Sequence, residues 1–151
     1  MADSFHSLTF HLIWSTKNRA PALSEELQPR LWEYLAGICH QKKITPLCIG
    51  GWFDHVHALI RLPPNMDVSK AVQQLKGVSS KWLHESFPRE MASVEWQDGY
   101  GAFTVSQSQV SEVFRYIKEQ KEHHRRRTFQ DEFLSFLGKH GIEWNPAYVW
   151  G

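Results

Sequence analysis

The segment Asp54-His55-Val56-His57-Ala58-Leu59-Ile60-Arg61-Leu62 constrains this chain more than any other. It opens with polar and apolar residues in alternation and then turns apolar, the pattern of a strand buried in a sheet. A period of two puts His55 and His57 on one face and Val56 on the other. Imidazoles in an apolar strand cost free energy unless partners satisfy them, and two side by side form half of a metal site. Histidines satisfied within the sheet are the competing reading that residue types allow.

The surroundings of that strand define the rest. Strand propensity covers residues 6–15, and Lys17, Asn18 and Arg19 follow as a basic loop closed by Pro21, either a solvated turn or a phosphate contact. Ser24 can cap a helix whose apolar positions are Leu27, Leu31, Tyr34, Leu35 and Ile38. Residues 44–49 read as a strand broken at Gly50-Gly51. The gap from there to His55 is too short for a crossover, so these two strands must form an antiparallel hairpin. Asp67 can cap a second long helix, which carries Lys70, Lys76 and Lys81 on its polar face and Gly77 at mid-length, where glycine suggests close approach by another backbone. Residues 94–96 and 102–105 resemble a further hairpin. Ser106 or Ser108 then opens a helix with Val110, Phe114 and Ile117 inward, and a short helix over about 128–137 precedes a tail with Trp144, Tyr148 and Trp150. The order β-α-β-β-α-β-β-α predicts an α+β, ferredoxin-like split βαβ sandwich: a mainly antiparallel sheet with helices packed on one face.

A length of 151 residues with 42% hydrophobic content suits one domain over 1–151, with a core at about 6–125 and a C-terminal helix and tail over 128–151. The 17 basic residues nearly balance the 16 acidic ones, so any polyanion site must be a local patch. Cys39 and Cys48 give no disulfide framework and read as buried thiols in a reducing compartment. Residues 1–7 lack the apolar centre of a secretion signal, and no run approaches the ~20 apolar residues of a membrane span. The expected location is the cytoplasm, with no membrane partner.

Tyr116 and Gln120 stand four apart on the third long helix and offer a nucleophile and a neutral metal ligand on one face. A tyrosine of pKa near 10 is a poor nucleophile at neutral pH, so it needs an activated electrophile or help in losing its proton. A cation held by two His and one Gln would supply the first by polarising a phosphodiester. His55-Val56-His57, the Lys76-Gly77 helix and Tyr116-Ile117-Lys118-Glu119-Gln120, preceded by Trp14-Ser15-Thr16-Lys17-Asn18-Arg19, resemble the HUH single-tyrosine transposases of small bacterial insertion sequences, the IS-two-hundred-like group. The similarity spans residues 6–125, and a His pair followed about 60 residues later by Tyr-Ile-x-x-Gln is its specific part.

The resemblance implies that His55, His57 and Gln120 hold Mg²⁺ or Mn²⁺, and that Tyr116 attacks single-stranded DNA to leave a 5′-phosphotyrosine and a free 3′-hydroxyl. It implies Lys17, Arg19 and Lys76 as DNA contacts, hairpin DNA (imperfect palindromes) at element ends as the partner, and a homodimer in which the tyrosine can serve either subunit's His pair. The alternatives are a domesticated relative or non-catalytic nucleic-acid-binding module recognising palindromic hairpins, and a metal-dependent hydrolase recruiting His123 or His124. Those two histidines otherwise read as part of a solvated basic helix end.

Overall fold

The protein is described by a computed structural model covering residues 2–151. Its elements are β1 (Thr9–Ser15), α1 (Leu27–Gln41), β2 (Thr45–Trp52), β3 (His55–Arg61), α2 (Val68–Ser86), β4 (Gly101–Thr104), α3 (Val110–Lys118), α4 (Gln120–His123) and α5 (Phe129–Lys139). The four strands form one sheet in the order β2-β3-β1-β4, with every adjacent pair antiparallel. The expected ferredoxin-like arrangement is present: β3 lies between β2 and β1, splitting the βαβ unit. No helix among the described residues is long and apolar enough to cross a membrane.

Alternation along the strands sorts their side chains between two layers. Leu12, Trp14, Val56, Ala58 and Ile60 point into the main core, where α1 contributes Leu31 and Leu35 and α2 contributes Ala71 and Leu75. Each fully buried leucine there adds about 1.5–3 kcal/mol of hydrophobic stabilisation. The other face carries His11, Ile13, His57 and Leu59, and the sequence reading left it without helices. Instead α5 covers Ile13 and Phe103 with Phe129, Phe133 and Leu137, while Ile117 of α3 packs on Cys48 and Leu59. Helices on both faces explain why β3 is buried from His55 to Ile60.

Thr45–Trp52 continues through Gly50-Gly51 as one strand, because Gly50 pairs with His57 and Gly51 with Val56. Residues 94–96 and 102–105 do not form a hairpin: Trp96 makes only an isolated bridge to Thr16, and β4 pairs with β1. Phe114 faces outward at 40% exposure, so Ile117 carries the buried contact of α3. A Gln107–Gln109 turn of 3-10 helix precedes α3, with no serine side chain capping it. Asp67 does cap α2, accepting the Lys70 N–H at 2.7 Å, and Thr128 caps α5 through the Asp131 N–H.

The glycine at which helix and sheet meet closely is Gly50, not Gly77. A Cβ on Gly50 would lie 2.8 Å from Ile117 Cγ2 and 3.1 Å from its carbonyl oxygen, whereas nothing lies within 4 Å of one on Gly77. Absence of a side chain at Gly50 therefore lets α3 settle directly above the His57 register position. Urea unfolding should show Gly50→Ala losing about 1–3 kcal/mol to overpacking, while Gly77→Ala gains up to about 1 kcal/mol of helix propensity. Equal effects at the two positions would refute this account of the helix-sheet contact.

Candidate metal and tyrosine centre

Strand pairing assembles the site. His57 stands opposite Ile13 and His55 opposite Ser15, so both rings rise from the α5 side of the sheet. Both are fully buried. Glu132 on α5 projects down between them, with its Oε1 2.9 Å from His57 Nε2 and 3.5 Å from His55 Nε2. These three residues can direct ligand atoms to a common point, all within 4.8 Å of one another.

The outer ring nitrogens are held as well. His55 Nδ1–H donates to Asp54 Oδ1 at 2.7 Å, and His57 Nδ1 faces His11 Nε2 at 2.7 Å. Such partners fix ring orientation in metal sites. With its proton committed to Asp54, a neutral His55 presents a lone pair at Nε2. That lone pair meets Gln120 Oε1 at 2.8 Å and Glu132 Oε1 beyond it, and both are acceptors. Acceptors converging on acceptors call for a positive occupant, a proton or a metal ion. The donor set of two imidazoles, a carboxylate and an amide oxygen fits a divalent cation.

Tyr116 reaches the same carboxylate. Its hydroxyl donates to Glu132 Oε2, and its ring stacks on His123 at 4.3 Å. Burial raises the phenol above its ordinary value, and the Glu132 charge and hydrogen bond raise it further, so the resting side chain is neutral. Gln120 begins α4 after a break at Glu119, yet stays tied to Tyr116 by donating from Nε2 to its carbonyl at 3.3 Å.

His124 completes the shell. Its Nε2 lies 3.0 Å from Gln120 Oε1 and 3.3 Å from Glu132 Oε2, and its Nδ1 lies 3.0 Å from the Arg127 carbonyl oxygen. All three partners are acceptors, so both ring nitrogens carry protons. Burial lowers the basicity of His124, but hydrogen bonding and charge from Glu132 outweigh it and leave a net rise. Burial also disfavours ionised Glu132, and the surrounding imidazoles reverse this and hold it well below the carboxylate range. His57 and His11 shift down, chiefly through desolvation. The resting centre is thus a buried carboxylate paired with a doubly protonated His124.

Of the residues singled out from sequence, the fold brings together His55, His57, Tyr116 and Gln120. It puts Lys17, Arg19 and Lys76 elsewhere. Exposed Lys17 lies 3.8 Å from Glu95, and Arg19 donates to the Trp150 carbonyl oxygen and covers its ring. Lys76 Nζ donates to the carbonyl oxygens of Gln97, Asp98 and Gly99, and burial lowers its pKa. His124 belongs to the cluster rather than to a solvated helix end, its side chain being 4% exposed.

Glu132 and His11 were missed by the sequence reading. Glu132 carried a signal: it is a carboxylate on the apolar stripe of Phe129, Phe133 and Leu137. His11 shares the alternation of Ile13 and becomes visible only once β1 is paired with β3.

The protein-family description "Transposase IS200 like" matches residues 4–120. The chain is 31% identical over 130 residues to the transposase for insertion sequence element IS200 of Salmonella typhimurium, covering 81% of this chain and 82% of that one. It is 27% identical over 121 residues to the ISDra2 transposase TnpA of Deinococcus radiodurans, covering 78% and 86%. A crystal structure of a Deinococcus radiodurans protein assigned as a transposase superposes with a TM-score of 0.66 at 27% identity, over 80% of this chain and 95% of that one. A REP-associated tyrosine transposase bound to a REP hairpin shares the fold, with a TM-score of 0.58 at 15% identity, over 82% and 74%.

Replacing Glu132 should disable cation binding without unfolding the sheet. Titration calorimetry with Mn²⁺ should show Glu132→Gln weakening affinity about a hundredfold, and Asp54→Ala about tenfold through loss of the His55 partner. Unchanged Mn²⁺ affinity in Glu132→Gln would remove this residue from the ligand set.

Proposed function

Because the chain belongs to the IS200-like transposases, we propose that it cleaves and rejoins single-stranded DNA through a 5′-phosphotyrosine on Tyr116. The observation that carries the reading is the shared carboxylate: Glu132 accepts the Tyr116 hydroxyl on Oε2 and faces His55 and His57 with Oε1. Nucleophile and candidate ligands are thereby held together within one chain, which supports Tyr116 serving its own His pair. A homodimer is not required to complete the cluster.

The chain's residues divide the work as follows. Tyr116 Oη forms a bond to the scissile phosphorus as the bond to the 3′-oxygen breaks, leaving a free 3′-hydroxyl. Glu132 Oε2 accepts the hydrogen bond of the Tyr116 hydroxyl and orients it, and in the net step the phenolic proton ends on the departing 3′-oxygen. Protonated His124, beside the same carboxylate, offsets the negative charge near the incoming phosphate. Attack of a 3′-hydroxyl on the phosphotyrosine rejoins the strand and restores the phenol. His55, His57, Glu132 and Gln120 would hold the divalent ion, and His11 and Asp54 would orient the rings. When bound, that ion withdraws charge from the phosphate oxygens.

Imidazole ligands favour Mn²⁺ over Mg²⁺. Hairpin DNA is the proposed partner, supported by the shared fold of a relative solved with a REP hairpin. Of the sequence-derived DNA contacts, Arg19 and Lys17 remain proposed, whereas Lys76 is assigned to holding the loop at residues 97–99.

Labelled single strands from the DNA flanking the gene, mixed with protein and Mn²⁺ and run on a denaturing gel, test this. Wild type should yield a covalent adduct that chelation abolishes. Tyr116→Phe should give none while binding the strand within about twofold of wild type, because the substitution removes the nucleophile and little contact surface. Equal capture by the variant would overturn the assignment.

A further inference from the structure

Beside the tyrosine centre lies an open groove of about 640 Å³, walled by the Asn18-Arg19 loop, by the β2–β3 turn with Trp52, Phe53 and Asp54, and by the segment from His124 to Asp131. At its inner end are Asp54, which holds His55, and His124, which meets Glu132. Two properties separate it from a solvated cleft. First, its walls carry Arg19, Arg125, Arg126 and Arg127 against two carboxylates, and one of these, Asp54, is committed to His55. The chain as a whole has a net charge of only +1, so this is a local concentration of cations. Second, two aromatic rings stand half-exposed at the turn, Trp52 and Phe53, set edge to face with centroids 5.0 Å apart.

The turn and its facing loop are fixed rather than fluid. Leu23 N–H donates to the Phe53 carbonyl oxygen and Thr16 N–H to that of Asp54, both at 2.9 Å. Across the groove, Asn18 and Arg19 both adopt left-handed backbone conformations, with φ of 58° and 53°. Consecutive non-glycine residues in that region are strained, and the surrounding structure must hold them. Thr16 Oγ1, donating to the Ala20 carbonyl oxygen at 2.8 Å, closes this loop.

We propose that the groove is the track for the unpaired nucleotides next to the scissile phosphate, with bases stacking on Trp52 and Phe53 and the backbone running along Arg125–Arg127. Aromatic faces beside a row of cations are the chemistry that recognises single-stranded nucleic acid. A base paired in a duplex cannot offer its face to Trp52, so the groove also selects for unpaired DNA. The inference rests on the transposase reading for the identity of the chemistry at its inner end, but the groove binds strands whether or not they are cut.

The test uses the full chain and a thymidine strand of about twelve nucleotides, within the usual span of such sites, carrying a single 5-iodouracil. After long-wave irradiation, peptide mapping should put the crosslink on Trp52 or Phe53. By fluorescence anisotropy Trp52→Ala should weaken binding of the same strand about tenfold, Trp52→Phe should restore most of it, and Trp82→Ala in the opposite helix layer should stay within about twofold. Arg125→Ala with Arg126→Ala should flatten the salt dependence. Crosslinks confined to other surfaces, no crosslink at all, or Trp52→Ala binding as wild type would overturn the groove.

The denaturing gel separates this from the broader reading. Covalent capture unaffected by loss of Trp52 and Arg126 sinks the groove and leaves Tyr116 chemistry standing. Crosslinking to Trp52 with no capture of any strand flanking the gene does the reverse.

Discussion

A single buried carboxylate governs this structure. Glu132 is fully buried, and an ion so placed is tolerated only when its desolvation is repaid locally by charge and hydrogen bonds. His57, His124, Gln120 and Tyr116 all converge on it, brought there by β3, by α3 and by the two ends of α4. The strand pairing of β3, the glycine under α3 and the apolar stripe of α5 share one geometric requirement: their polar groups must arrive within hydrogen-bond distance of the same two oxygens. Removing any one partner exposes the others to an unpaired charge, which makes the centre cooperative rather than a sum of contacts.

Local signals reached most of the scaffold but only part of the site. The alternation around His55 and His57 and the short link to the preceding strand were sufficient for the central hairpin, and the helical spacing of Leu27, Leu31, Leu35 and Ile38 for the first helix. The second helical layer was not legible, because the histidine face looks polar until α5 is seen to supply its apolar cover. Tyr116 and Gln120 could be paired by spacing, although a helix break separates them; their bond through the Tyr116 carbonyl preserves the relation. Lys76 illustrates the converse. Its residue type suggested a phosphate, while the fold directs it onto three backbone carbonyls, which no local pattern reveals.

The carboxylate also lies beyond the residues that the family description matches. The family match ends at Gln120, whereas Glu132 and His124 follow it. The strand histidines and the tyrosine lie within the matched residues, and the groups that set charge around them follow in the chain.

That division has a thermodynamic consequence. α5 is attached through a small apolar cluster of its own, formed by Phe129, Phe133 and Leu137 with Ile13 and Phe103, apart from the main core beneath the opposite face. Small clusters of this kind open at lower free energy than the body of a domain. When α5 lifts, Glu132 leaves and the histidines and tyrosine lose their common partner, although the sheet remains folded. The fraction of molecules holding an intact centre is therefore set by a local opening equilibrium rather than by global stability, and any ligand that bridges Glu132 to the strand histidines draws that equilibrium toward the closed state by mass action.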